Sequence, residues 1–273
     1  MPLHVGTCSW NYDSWVGLVY SRERDRAVNY LPEYSAKYRS VEIDSWFYKL
    51  PVKREVEEYA AAVDEGFTFV CKAPQDITLT HKRTKAAEPN PAFLSTELFG
   101  HFLEAIEPLK DKIGAIVLEF EYLNRQKMPG AEAFIQQLEG FVRSVPREIP
   151  LALEPRNGSW LNSAWFDFLQ RNELAHVFSE KIYMPRMVDL FEDFGDRIGN
   201  RTVIRLLGGD RAAIEKATEG KWDRIVSPQA DLPEIAAIAA RMSSEGREVF
   251  IDVNNHYEGS APLTIERFLG VLP

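Results

Sequence analysis

The chain has 273 residues, 45% of them hydrophobic and 27% charged, with a net charge of −9 and a pI near 5.2. That length and composition suit one soluble globular domain with a substantial core, and they exclude a disordered or fibrous chain. The acidic balance speaks against broad electrostatic capture of nucleic acid or of anionic membrane, both of which need a basic face.

The amino terminus runs almost at once into strand-like sequence, without a basic segment followed by an apolar stretch, and no apolar run approaches membrane-spanning length. We therefore expect a cytoplasmic protein. Cys8 and Cys71 fall on the first and third candidate strands, two strand spacings apart and too far for a disulfide, so both are expected to be reduced.

In chain order, β-branched and aromatic runs occur at residues 4–9, 40–44, 67–73, 115–120, 150–155, 175–180, 201–208 and 248–255. Helical character follows each of them. Strands alternating with helices imply a parallel sheet, and about eight such units in a chain of this size predict an α/β fold, a single (β/α)8 TIM barrel with a closed parallel sheet over residues 1–273. The clearest helix is 231–244, with Asp231 as N-cap, Pro233 in the first turn, and Ile235, Ile238, Ala239 and Met242 on one face. A second is 95–109, with Leu98, Phe99, Phe102, Leu103 and Ile106 on one side. Three connections, 75–90, 181–200 and 208–227, exceed what a scaffold needs and are candidate lids.

The two-residue alternation of each strand divides its side chains between helices and barrel axis. It turns Glu42 and Asp44 inward, then Thr68, Val70 and Lys72, then Ala152, Glu154 and Arg156, then Val203 and Arg205, and finally Phe250, Asp252 and Asn254. Charges inside a barrel are costly unless they pair or face a watered mouth. A set of structural ion pairs and a site of chemistry both satisfy that condition.

Four constellations lie where such barrels keep their chemistry, at the carboxyl ends of the strands. Gly6-Thr7-Cys8-Ser9-Trp10-Asn11-Tyr12 could form a stacking floor for a sugar ring or base on Trp10 and Tyr12, or a packed cap over the barrel. Glu154-Pro155-Arg156-Asn157 offers a general base and a guanidinium two residues on, or a simple Glu–Arg clamp. Gly208-Gly209-Asp210-Arg211 opens a possible helix at 211–217, where Gly209 and Arg211 would meet an anion; an Asp-capped turn reads equally well. Asn254-Asn255-His256-Tyr257 follows the last strand, with His256 a candidate acid/base group. No HxxxH, HxH, CxxC or Asp-rich loop occurs, and His4, His81, His101, His176 and His256 are scattered, so no residue is assigned to metal. No organic-cofactor motif is present, and a divalent metal stays an open alternative.

Gly6-Thr7-Cys8-Ser9-Trp10, Val41-Glu42-Ile43-Asp44-Ser45-Trp46-Phe47-Tyr48, Lys72-Ala73-Pro74 with Ile77-Thr78, Glu154-Pro155-Arg156 with Ser159-Trp160, and Asn254-Asn255-His256-Tyr257-Glu258-Gly259 recur in an order that resembles the YecE-like family, domain of unknown function 72. The resemblance covers nearly the whole chain. It implies a (β/α)8 barrel related in architecture to sugar isomerases and endonuclease-IV-like metal hydrolases. The family pattern has Asn at Asp44, Glu-Phe-Arg-His at Glu154-Pro155-Arg156-Asn157, and Arg-x-His-Gly at Arg205-Leu206-Leu207-Gly208. The absence of histidine at Asn157 and Leu207 weakens transfer of any metal site.

The expected function is acid/base chemistry on a small anionic or sugar-like molecule. Glu154 would be the base, with His256 or Asp44 as second proton-transfer group. Lys72, Arg156 and Arg205 would hold an anion, while Glu42, Asn254, Asn255, Trp10, Tyr12, Gly209 and Arg211 complete the candidate binding set. Two alternatives stand beside it: a metal-assisted phosphodiesterase or nucleic-acid-processing enzyme, and a ligand-binding barrel without catalysis, whose charged residues would all be paired.

Overall fold

The computed structural model describes residues 3–84 and 88–273. Eight strands run β1 Leu3–Cys8, β2 Ser40–Ile43, β3 Thr68–Lys72, β4 Ile113–Glu119, β5 Leu151–Glu154, β6 Ala175–Lys181, β7 Arg201–Gly208 and β8 Glu248–Val253. They follow one another in sequence order around a closed barrel, and β1 closes in parallel on β8 with Leu3 beside Val249 and Thr7 beside Val253. The helices are α1 Leu31–Lys37, α2 Lys53–Ala61, α3 Gln75–Thr78, α4 Thr96–Ile106, α5 Ala131–Val142, α6 Ser163–Arg171, α7 Met187–Phe194, α8 Arg211–Thr218, α9 Leu232–Ser244 and α10 Ala261–Gly270. This is the (β/α)8 barrel expected from the strand and helix alternation.

The alternation along each strand produces two separate cores. Val41, Ile43, Phe69, Cys71, Leu151 and Leu153 belong to the large core shared with the helix layer. Val70, Ala115, Val117, Ala152, Ala175, Val177, Val203 and Phe250 fill the barrel interior. His4 stacks on Phe250 with ring centroids 4.5 Å apart. A Cβ on Gly114 would lie 2.3 Å from the Phe250 ring, so only glycine leaves room for that aromatic side chain. This apolar plug separates the Arg201–Glu248 pair at the amino end from the larger set of inward charges at the carboxyl end.

Strands β2 and β8 end one or two residues earlier than expected, each at a turn that begins on a polar residue. Strand β2 stops at Ile43 because Asp44 turns into helical backbone and accepts the Phe47 N–H on its carbonyl, at 3.1 Å. Strand β8 stops at Val253, after which Asn254 Oδ1 accepts the His256 N–H at 3.0 Å. Ser95 caps α4 by accepting the Leu98 N–H at 3.1 Å. Asp231 occupies the expected N-cap position of α9, where its carbonyl accepts the Ile235 N–H at 3.0 Å, but its side chain caps no N–H and lies 3.6 Å from Arg186 Nε instead.

Residues 181–200 and 208–227 contain α7 and α8 respectively, so helices rather than free lids occupy those long connections. The 75–90 connection contains α3 and a bridge between His81 and Pro89, and its residues 85–87 lie outside the described residues. Both cysteines are free and buried. Among the described residues no helix is long and apolar enough to cross a membrane.

Candidate functional site

Directly above the apolar plug lies a layer of ions built on five strands and the residues just beyond them. Arg205, on β7, is its hub. Its Nε and Nη2 donate to the two oxygens of Glu42 on β2, at 2.6 and 2.8 Å. Its Nη1 donates to Glu119 Oε2 on β4 and to Glu154 Oε2 on β5, both at 2.7 Å. Lys72, at the end of β3, donates to Asp44 Oδ1 at 2.6 Å and lies 3.0 Å from Glu119 Oε2. Arg156 Nη2 lies 2.8 Å from Glu154 Oε1 and 3.1 Å from Glu119 Oε2. One oxygen of Glu119 therefore meets all three cations, and Ser179 Oγ on β6 adds a 2.5 Å bond to Glu154 Oε1.

The electrostatics follow from this packing. Burial alone would make Arg205 easier to deprotonate, but Glu154, Glu42 and Glu119 outweigh it and push its pKa well above the ordinary value. Burial likewise opposes ionisation of Glu119, yet Arg156, Arg205 and Lys72 hold its carboxyl well below the usual range. For Lys72, burial and Arg205 push down while Glu119, Asp44 and Glu42 push up, and the carboxylates prevail. Burial raises Glu42 despite its fork with Arg205.

Asp252 differs from the rest. It is fully buried on β8, paired in register with Arg205, yet neither of its carboxyl oxygens has a hydrogen-bond partner. Burial, with Glu42 and Glu154 adding repulsion that outweighs Arg205, drives its pKa well above the usual carboxylate range. A neutral carboxylic acid is the form that this environment favours.

Of the residues singled out in the sequence, Glu42, Asp44, Lys72, Glu154, Arg156 and Arg205 thus share one network. Tyr12 is half-buried nearby. Burial and the neighbouring Cys8 and Asp44 push its hydroxyl up to about 12, so it keeps its proton. Asn255 is buried, with Oδ1 accepting the Ala261 N–H at 2.9 Å, and Asn254 Oδ1 lies 2.6 Å from His256 Nδ1. His256 Nε2 faces Glu215 Oε1 of α8 at 3.1 Å and the ring packs T-shaped with Trp222, so the imidazole is held between Asn254 and α8. Burial lowers the His256 pKa.

Three expectations change. Trp10 is not part of a stacking floor: it is buried in the helix-side core, with its indole N–H donating to the Ala27 carbonyl at 2.8 Å. Close backbone approach belongs to Gly208 rather than Gly209. Gly208 has a φ of +82° and its Cβ would sit 2.3 Å from the His256 carbonyl, so the glycine serves packing of protein on protein. At the start of α8 the Asp210 carboxylate already accepts the Ala213 N–H at 3.1 Å, and Arg211 is exposed and bonded to Glu215 at 2.8 Å. An anion there would compete with a negative charge in place.

Sequence reasoning missed Glu119 and Ser179, although the same alternation marks both, through Ala115 and Val117 on β4 and through Ala175 and Val177 on β6. Among the described residues no group of three or more His, Cys, Asp or Glu is disposed to hold a metal ion. The centre of the acidic cluster is filled by the Arg205 guanidinium.

Comparison with known proteins agrees with this architecture. The chain is 22% identical to the UPF0759 protein YunF of Bacillus subtilis (strain 168), over 95% of this chain and 90% of that protein. A DUF72 family protein of Thermotoga maritima MSB8 superposes with a TM-score of 0.73 at 21% identity, covering 100% of this chain and 99% of the other. One from Enterococcus faecalis V583 gives 0.73 at 21% identity, covering 99% and 95%. Both show the same fold. The family model described as "Protein of unknown function DUF72" matches residues 4–273, and with the barrel and its ordered motifs this places the chain in the DUF72 family.

Proposed function

We propose that the barrel mouth is an acid/base site for an uncharged, polyhydroxylated, sugar-like small molecule. The observation that carries this reading is the state of the cations. Lys72, Arg156 and Arg205 are each already held by carboxylates, those of Glu42, Asp44, Glu119 and Glu154, while the buried Asp252 beside them favours its neutral form. An incoming phosphate or carboxylate would find these three cations already neutralised by protein carboxylates, whereas hydroxyl groups donate to carboxylates and accept from cations at no net Coulombic cost.

Within this reading Glu154, fully buried and occupied by Arg205, Arg156 and Ser179, holds the cations in place. Proton transfer falls to Asp44, whose side chain is 36% exposed at the edge of the network, with the protonated Tyr12 beside it as donor. Lys72 fixes the Asp44 carboxylate.

The test is thermal stability with neutral monosaccharides and sugar alcohols against inorganic phosphate. A bound ligand at about 100 times its Kd adds roughly 2.7 kcal/mol. Stabilisation by neutral sugars, and loss of turnover without loss of fold in Asp44→Asn, is the expected result. Stabilisation by phosphate that disappears in Lys72→Met would overturn it.

A second reading, a binding barrel without catalysis, is favoured by Glu154, both of whose oxygens are engaged by protein partners. It predicts the same sugar binding with no turnover. The nucleic-acid alternative loses support, since the chain is acidic and the cations Lys72, Arg156 and Arg205 are already paired.

A further inference from the structure

Among the described residues nine large apolar side chains are exposed, and all but Leu269 and Val271 lie on loops that leave the carboxyl ends of the strands. Three are tyrosines: Tyr48 after β2, Tyr122 after β4 and Tyr183 after β6. Tyr48 reaches the ion network through side-chain contacts, and Tyr122 and Tyr183 sit on loops whose backbone lies next to it. Tyr48 packs edge-on against Phe47 at 5.3 Å, and the Phe47 ring lies 4.0 Å beneath Lys72 Nζ. Tyr122 precedes Leu123, whose backbone Asn157 clamps with bonds of 2.8 and 2.9 Å. The Tyr183 carbonyl lies 3.5 Å from the Cβ position of Gly158, in the loop just past Arg156.

Tyr183 is the most telling. It is 92% exposed, so burial stabilises it hardly at all, and its φ of +71° is costly for an aromatic residue. An exposed ring held in strained backbone indicates selection for something other than stability.

The arrangement has an aromatic circumference and a charged centre. Protein–protein interfaces have the opposite anatomy, an apolar centre inside a polar rim. Sugar rings match it: their C–H faces stack on tyrosine while their hydroxyls reach carboxylates. In an eight-stranded barrel β2 and β6 stand opposite each other, about 15 Å apart from strand spacing and tilt. One sugar ring cannot touch Tyr48 and Tyr183 together.

We propose that the mouth takes a chain of neutral sugar rings, an oligosaccharide or the end of a polysaccharide, with one unit on the ion network and the neighbouring units stacked on Tyr48, Tyr122 and Tyr183. This rests on the sugar-like reading of the network and adds the length of the ligand. Single-stranded nucleic acid also offers flat rings, but its phosphates would meet an acidic chain whose network cations are already paired with carboxylates.

The experiment uses the full chain and two probe series, malto- and cello-oligosaccharides of one to six rings, measured by calorimetry and saturation-transfer NMR. For wild type, affinity should rise about two- to tenfold with each added ring up to three or so. The triple variant Tyr48→Ala, Tyr122→Ala, Tyr183→Ala should bind every length as weakly as the single sugar, with an unchanged melting temperature showing that it folds. A single sugar that binds with no gain on lengthening overturns this inference and leaves the network reading standing. Failure of every length in both series overturns both. Salt-sensitive oligonucleotide binding lost in the triple variant, or a dimer that the variant dissociates, assigns the rim elsewhere and also overturns it.

Discussion

Arg205 on β7 and Glu42 on β2 meet across the barrel axis through two parallel hydrogen bonds, of 2.6 and 2.8 Å. Such a fork fixes orientation as well as distance. Removing its cation alone leaves Glu42 and Glu154 buried without their main counter-charge. Arg205→Met should therefore destabilise by about 3–5 kcal/mol, read from calorimetric melting, and an unaffected melting temperature would refute the hub role.

Glu154→Gln tests the same layer from the acid side. Because Glu154 is fully buried and bonded to Arg205, Arg156 and Ser179, we expect a loss of a few kcal/mol by urea titration. Unchanged stability would return Glu154 to the position of a free catalytic base.

Asp252 gives a pH signature of definite sign. Its pKa is raised on folding, so between the unfolded value, about 3.9, and the folded one the native state binds more protons and stability falls as pH rises. Asp252→Asn removes this dependence. The variant should gain on wild type by up to about 1.4 kcal/mol per pH unit above pH ~4, with no pH-dependent gain below it. Parallel curves across that range would show Asp252 to be unperturbed.

Gly208→Ala places a methyl group 2.3 Å from the His256 carbonyl at a φ of +82°. A loss of roughly 2 kcal/mol or more in urea unfolding is expected. A smaller loss would mean that the loop after β8 yields easily.

Tyr183→Gly should do the reverse. Relieving a φ of +71° at an exposed position is expected to raise stability by about 1 kcal/mol. A destabilised variant would show that the ring packs on something after all.

The barrel and six members of its network were legible because period-two alternation is a local property that survives without coordinates. Glu119 obeys the same rule and was overlooked only because its strand, Ala115–Val117 apart from its end, reads as plain core. Trp10 misled for a different reason. Ser9 has a φ of +71°, an atypical backbone that alternation cannot foresee, and Trp10 beyond it is packed in the helix-side core. The tyrosine rim could not be read at all, since an exposed Tyr183 and a buried Tyr34 are equivalent letters until tertiary packing separates them.

The apolar plug around Phe250 and His4 leaves the barrel with a single doorway. Whatever enters must back out the way it came, and a product would stand in the path of the next substrate. Traffic of protons is subject to the same geometry. Asp252 is fully buried beside Arg205, so its proton exchanges with solvent only when the ion layer loosens, and the rate of exchange becomes a clock for the opening of the ion network.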